Sequence, residues 1–142
     1  MSFFTKLCLA LPSLASVFAG TSGDSGHGPI RSDYTIWCVG NCDHDKKSES
    51  TPGAVLMGGG TDTNEAFSWQ ISNAKGGDFL VMRASGDDAY NEYIYEMSIA
   101  SDSRLNSVRT ILFKNEKASA APEVLDIIRN SEAIFFAGKD TR

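Results

Sequence analysis

From residue 53 to residue 137 the chain alternates short apolar runs with segments of helical spacing, and this alternation restricts the fold more than any other feature. Residues 54–57 form a continuous apolar run between Pro52-Gly53 and the triplet Gly58, Gly59 and Gly60, the pattern of a strand buried on both faces. Thr61 or Asp62 then stands where a helix cap is expected. Glu65 falls in the first turn, and Ala66, Phe67, Gln70, Ile71 and Ala74 recur at helical spacing until Gly76-Gly77 ends the segment.

The unit then repeats. Residues 79–83 predict a strand, 85–88 a turn, and 89–99 a helix with Tyr90, Tyr93, Ile94 and Met97 on one side. Residues 108–113 predict a third strand, 121–129 a helix turning Val124, Leu125 and Ile128 inward, and 133–137 a fourth strand. Strands joined by single helices pair in parallel through right-handed crossovers. The expectation is an α/β fold: a doubly wound, mostly parallel sheet in three αβα layers. Ahead of it, residues 34–39 are β-prone and 40–52 read as a polar loop.

Such a sheet binds ligands outside the carboxyl ends of its strands, so residues 58–62, 85–88, 114–116 and 138–140 should share one edge. A glycine-rich turn into a helix start offers free amides to an anion. The triplet here matches neither G-x-G-x-x-G nor G-x-x-x-x-G-K-[ST], and it reads as a tight turn beside which a substrate backbone approaches. Asp62, Asp87 and Asp88 are candidate carboxylates, each also placed where a cap or turn favours an acid. Ser85 ends a strand as a nucleophile would, yet its surroundings lack the first glycine of G-x-S-x-G. His27 and His44 both precede the regular part of the chain, and Trp37, Trp69, Tyr90, Tyr93 and Tyr95 read as packing residues.

Residues 1–19 have the form of a signal peptide: Lys6, then an apolar stretch to Phe18, with Val17 and Ala19 as the small residues of a cleavage site before Gly20. Residues 21–29 are rich in Gly, Ser and Thr and read as a mobile link, so residues 20–52 comprise that link, a short strand and a polar loop, ahead of the domain at 53–142. Cleavage would remove Cys8 and leave Cys38 and Cys42 in an oxidising compartment. A disulfide is the plain expectation; free thiols, or a metal site drawing on His44, Asp43 and Asp45, are the alternatives, the latter without a second ligand pair. The protein is thus expected to be secreted, with no later segment of membrane-spanning length and no cofactor indicated. A net charge of -5 without a Lys/Arg cluster argues against nucleic acid as a partner.

Several motifs in order resemble the amino-terminal half of cyanophycinase-like proteins, serine peptidases related to peptidase E. They are Val55-Leu56-Met57-Gly58-Gly59-Gly60-Thr61-Asp62, then Gly76-Gly77-Asp78-Phe79-Leu80-Val81-Met82-Arg83-Ala84-Ser85-Gly86 with Asp88-Ala89-Tyr90-Asn91. Ile127-Ile128-Arg129-Asn130 and Glu132-Ala133-Ile134-Phe135-Phe136-Ala137-Gly138 complete the set, which covers roughly residues 53–138. The resemblance implies a fold like that of class I glutamine amidotransferase domains. It also implies hydrolysis of acidic or isoaspartyl-type peptide links, with Gly59, Gly60, Asp62, Gly138 and Asp140 facing a peptide-like substrate.

Two departures accompany it. The family's Gly-Gly-Asp-Gln-like loop is here Gly138-Lys139-Asp140-Thr141. Its nucleophile elbow, a Gly-Thr-Ser-Ala-Gly-like sequence, has no counterpart in these residues, nor do the histidine and acid beyond it. A serine without base or oxyanion hole is a poor nucleophile. The expectation is therefore an incomplete domain, from a truncated gene or a splice product, inactive by itself; a non-catalytic secreted binding protein, monomeric or homodimeric, is the alternative. A flavodoxin-like nucleotide or flavin binder would rest on topology alone.

Overall fold

The computed structural model describes residues 6–10, 32–58 and 60–138. Its strands are β1 (Lys6–Ala10), β2 (Tyr34–Gly40), β3 (Gly53–Met57), β4 (Asp78–Arg83), β5 (Ser107–Phe113) and β6 (Ala133–Ala137). The helices are α1 (Asn64–Ala74), α2 (Tyr90–Ala100) and α3 (Pro122–Asn130), with one 3₁₀ turn at Glu116–Ala120. Each helix and strand from β2 onward coincides with a periodic segment of the sequence to within about three residues.

All six strands belong to one sheet in the order β2-β5-β4-β6-β1-β3. β4 pairs in parallel with β5 and β6, as the crossovers require. β2 is antiparallel to β5, and β1 is antiparallel to both β6 and β3. The fold is therefore α/β with a mixed sheet, and the expectation of a mostly parallel sheet is corrected: of its five pairings only two are parallel. The antiparallel pairings all involve β1 or β2, the two strands that lie outside the βα repeat beginning at β3.

β1 lies within the segment that the sequence reads as a leader, between β6 and β3. Its register sets Lys6 opposite Met57 and Cys8 opposite both Val55 and Phe135. β3, expected to be buried on both faces, is instead the last strand of the sheet. Only its α1-facing side is covered: Met57 is buried and Val55 packs on the core, whereas Leu56 is 69% exposed. Continuous apolar runs suit buried strands, but the run does not say whether a helix covers the second face.

Two cores flank the sheet. On one side Phe67, Ile71 and Ala74 of α1 and Ile94 of α2 pack on Phe79, Val81, Val108, Ala133 and Phe135. On the other, Val124 of α3 meets Leu80, Ile111 and Ile134, with Ile127 and Ile128 at its margin. The phenylalanines 67, 79 and 135 are fully buried, each contributing about 2–3 kcal/mol of transfer free energy. Phe67 and Phe135 meet edge to face with centroids 4.9 Å apart, the arrangement favoured by their ring quadrupoles. Two buried amides sit in this layer: Gln70 donates from Nε2 to the Ile134 carbonyl at 2.8 Å, and Asn91 of α2 accepts the Thr110 hydroxyl at 2.6 Å.

At the amino-terminal edge of the strands the polar loop after β2 is fastened by buried carboxylates. Asp78 accepts the Lys46 amide (3.0 Å), Asn106 Nδ2 (2.8 Å) and the Ser107 hydroxyl (2.5 Å). Glu132 accepts the amides of Asp78 (2.7 Å) and Ser48 (3.4 Å). Burial raises the Glu132 carboxyl above its ordinary range; the two amides oppose that shift, and the charges of Asp78 and Asp45 add to it. Asp45 is raised as well, by desolvation and then by Asp78. Glu132 lies so close over Gly77 that a Cβ there would meet its Cγ and Cδ at 2.6 Å. Only glycine fits.

The expected cysteine pair is bonded: Cys38 at the end of β2 joins Cys42 at an S–S distance of 2.08 Å. Among the described residues no group of His, Cys, Asp and Glu is arranged to hold a metal ion.

Candidate functional site

The βα repeat places the ends of β3, β4 and β6 on one edge, as a parallel pattern requires. Arg83 pairs in register with Ala137, so Gly138 follows directly beside Ala84. Gly58 and Gly60 stand at the end of β3, one strand removed from β6 because β1 intervenes. Two interstrand steps amount to about 9.5 Å, so the glycine loop and Gly138 stand two strand spacings apart rather than touching through the sheet.

Gly58 and Gly60 are exposed, and among the described residues a Cβ built on either meets no atom within 4 Å. Packing does not demand glycine at these positions, in contrast to Gly77. Their backbone is open to an approaching chain. Gly138 is exposed too. Gly59 and Asp140, the other two substrate-facing candidates, lie outside the described residues.

Asp62 takes a different role from the cap expected of it. α1 begins after Thr63, which has extended backbone and makes no side-chain capping bond. The Asp62 carboxylate accepts the Tyr90 hydroxyl at 2.5 Å instead. Tyr90 is the first residue of α2, where the helix start brings its ring over the edge. Desolvation, and next the hydrogen bond to Asp62, push the Tyr90 phenol far above its ordinary range. The phenol therefore stays protonated and acts as a donor, not as a base.

The Tyr90 ring packs against Phe67 and Phe135, and the Arg83 guanidinium lies 5.3 Å from its centroid. This cation sits on the electron-rich ring face. Arg83 Nη1 also donates to the Asp87 carbonyl at 2.8 Å, with the Asp87 carboxylate 3.6 Å away. Its Nε is buried with no hydrogen-bond partner among the described residues. Beside this group Tyr93 donates to Asn64 at 2.5 Å, and burial, then Asp62 and Glu65, raise its phenol as well.

Other candidates are not brought in. Residues 114–116 face Asp33: the Lys114 amide donates to the Asp33 carbonyl at 2.9 Å and Asn115 to its carboxylate at 2.7 Å. His44 is exposed at the opposite edge, where its carbonyl accepts Asn106. His27 lies outside the described residues. Ser85 is half-buried after β4, with no histidine hydrogen-bonded to it among the described residues. Asp87 accepts the Ala89 amide at 3.2 Å and works as the start of α2.

The edge thus carries binding groups: an open glycine backbone, a fixed acid, a phenol held as donor, and one arginine. Sequence reasoning passed over Arg83 and set Tyr90 aside as packing. The available signals were a charge closing an otherwise apolar strand and an aromatic at the first turn of the following helix.

Comparison of the chain with protein-family models, curated proteins and solved structures found no match.

Proposed function

We propose that these residues form the substrate-facing wall of an exported, cyanophycinase-like serine-peptidase domain, folded as in class I glutamine amidotransferase domains. In this reading Gly58, Gly60 and Gly138 pass the backbone of a peptide carrying acidic or isoaspartyl links, while Asp62 and Tyr90 shape one side. The observation that carries it is the pair of glycines at the strand end whose Cβ space meets no atom of the described residues, next to an acid withdrawn from helix capping. The serine nucleophile and its base belong to sequence not among these residues.

The test is an assay with β-aspartyl and α-aspartyl dipeptides, together with amide chemical shifts of the same sample. The expected result is no turnover by the chain alone and shifts confined to Gly58, Gly60, Asp62 and Gly138 at millimolar dipeptide. Turnover by the chain alone would refute the division of labour between wall and nucleophile. Shifts scattered elsewhere, or none, would refute the wall itself.

A second reading, a non-catalytic secreted binding protein on the same scaffold, is favoured by one observation. The strongest donor and acceptor at the edge, Tyr90 and Asp62, satisfy each other, which leaves the site suited to holding a ligand rather than moving its protons. Reading the transcript beyond Arg142 separates the two: an in-frame strand followed by G-x-S-x-G supports the peptidase, and a stop codon with abundant secreted short protein supports the binder.

A further inference from the structure

Three carboxylates, those of Asp45, Asp78 and Glu132, converge where the loop after β2 crosses the amino-terminal edge of the sheet. Asp78 and Glu132 are 2% and 4% exposed. Their hydrogen-bond donors are neutral: the amides of Lys46, Ser48 and Asp78, with the side chains of Asn106 and Ser107. Among the described residues none of the three acids is ion-paired with a Lys, Arg or His. Lys47 and Arg109 act on Asp45 from farther away, the Lys46 ammonium lies beside Gly76, and His44 reaches the cluster through its carbonyl, which accepts Asn106. Like charges gathered out of water without a cation hold a proton or move apart.

The loop over this cluster, residues 41–52, has no helix or strand, and Lys46 and Lys47 stand exposed side by side at its centre. Exposed loops are where endopeptidases cut, and an acidic specificity pocket takes a basic residue ahead of the broken bond. Such an enzyme draws its substrate in as an extended strand through main-chain hydrogen bonds. The two amides that flank Lys47 are already given away, Lys46 to Asp78 at 3.0 Å and Ser48 to Glu132 at 3.4 Å. The Ser48 hydroxyl also donates to the Ala74 carbonyl at 2.5 Å, and the Thr51 amide to the Asn73 carbonyl at 2.9 Å. The basic pair is displayed, but its backbone is fastened.

We propose that the Lys47–Ser48 bond is a processing site for an endopeptidase selective for basic residues, held shut in acid by the Asp45, Asp78 and Glu132 cluster and presented as pH rises toward neutral. Cutting adds water across the amide and leaves a carboxylate on Lys47 and an amine on Ser48. The gate follows from linkage. Desolvation first, and the neighbouring acids with it, raise Asp45 and Glu132 from ordinary values of 3.8 and 4.5 while the loop is seated. Protons therefore favour the seated loop: the advantage is whole below those ordinary values and is lost as pH climbs through the raised ones. Lifting the loop returns the acids to water and frees the Lys46 and Ser48 amides together. The proposal concerns the amino-terminal edge and stands apart from the peptidase reading.

The experiment uses the full chain with its disulfide intact and trypsin as the probe, with fragments identified by mass. The rate of cutting after Lys47 is divided by that of a free peptide spanning residues 43–52, which cancels the pH dependence of trypsin itself. This ratio should rise about tenfold between pH 4.5 and pH 7, the effect of one unit of raised carboxyl. In D45N/E132Q, which has nothing left to titrate at the two positions, the rise should be less than twofold. Asp45→Asn alone, at an exposed position that folding does not depend on, should reduce it to about threefold. The control E92Q/E96Q, on α2, should keep the full rise. A flat ratio in the parent would overturn the gate, and an undiminished rise in both Asp45 variants would overturn the carboxylates as its origin. Cutting at other lysines and arginines within residues 32–138 in step with Lys47 would show unfolding of the whole sheet and overturn the site.

Discussion

Tyr90 at the start of α2 donates its hydroxyl to Asp62 ahead of α1, at 2.5 Å, and so ties together two loops that follow different strands. Phenylalanine at 90 keeps the ring contacts with Phe67 and Phe135 and removes only this bond. Tyr90→Phe should lower stability by about 1–2 kcal/mol, the usual range for a hydrogen bond to a carboxylate. Asp62→Ala should cost a similar amount, and the double variant less than the two together, because both delete one interaction. Urea denaturation of the four proteins checks this, and additive losses would contradict it.

Glycine serves opposite purposes at 58 and 77. Gly77→Ala drives a Cβ into the Glu132 side chain and should destabilise by about 2 kcal/mol, as overpacking does. Gly58→Ala enters open space and should leave stability within about 0.5 kcal/mol. It should nevertheless abolish the dipeptide-induced shifts at Gly60 and Gly138 if a substrate backbone passes there. Thermal melts and the same chemical-shift titration distinguish the two effects.

Glu132 and Asp45 make stability fall as pH rises. Their carboxyls are raised in the folded state, from ordinary values of 4.5 and 3.8, so folded protein holds these protons more tightly than unfolded chain. Their contribution is fully favourable below those ordinary values and is lost as pH climbs from about 4 through the raised folded values. Glu132→Gln should flatten this part of the curve, reducing the stability difference between pH 4.5 and pH 7 relative to the parent. An unchanged difference in urea unfolding at the two pH values would count against the assignment.

Reducing the Cys38–Cys42 bridge should cost about 2 kcal/mol, the entropy of a loop this short. The loss should be local first. Hydrogen exchange of the Lys46 and Ser48 amides, bonded to Asp78 and Glu132, should quicken before that of β4 and β5, whose amides are shared between central strands.

The regular elements from Gly53 to Ala137 were legible because their periodicity is set by which face each residue buries, a local property of the chain. Strand order is not local. Nothing in residues 54–57 distinguishes an edge strand with Leu56 exposed from a covered one. Lys6–Ala10 illustrates the limit, since an apolar run after a lysine satisfies both a leader and a strand. At the edge, Asp62 was picked out, but its function was read from the helix-cap rule. The competing acceptor role depends on a tyrosine 28 positions away. Asp78 and Glu132 look like ordinary polar residues at strand starts; their burial arises only when the loop after β2 folds across them.

The place of β1 bears on when the protein acquires its shape. β3 makes its only described pairing with β1, and under the export reading β1 is discarded at the translocon. The chain before and after cleavage would then be differently stitched, the second carrying the glycine strand without the one pairing described for it. Maturation would be a structural event for this protein as well as a change of compartment.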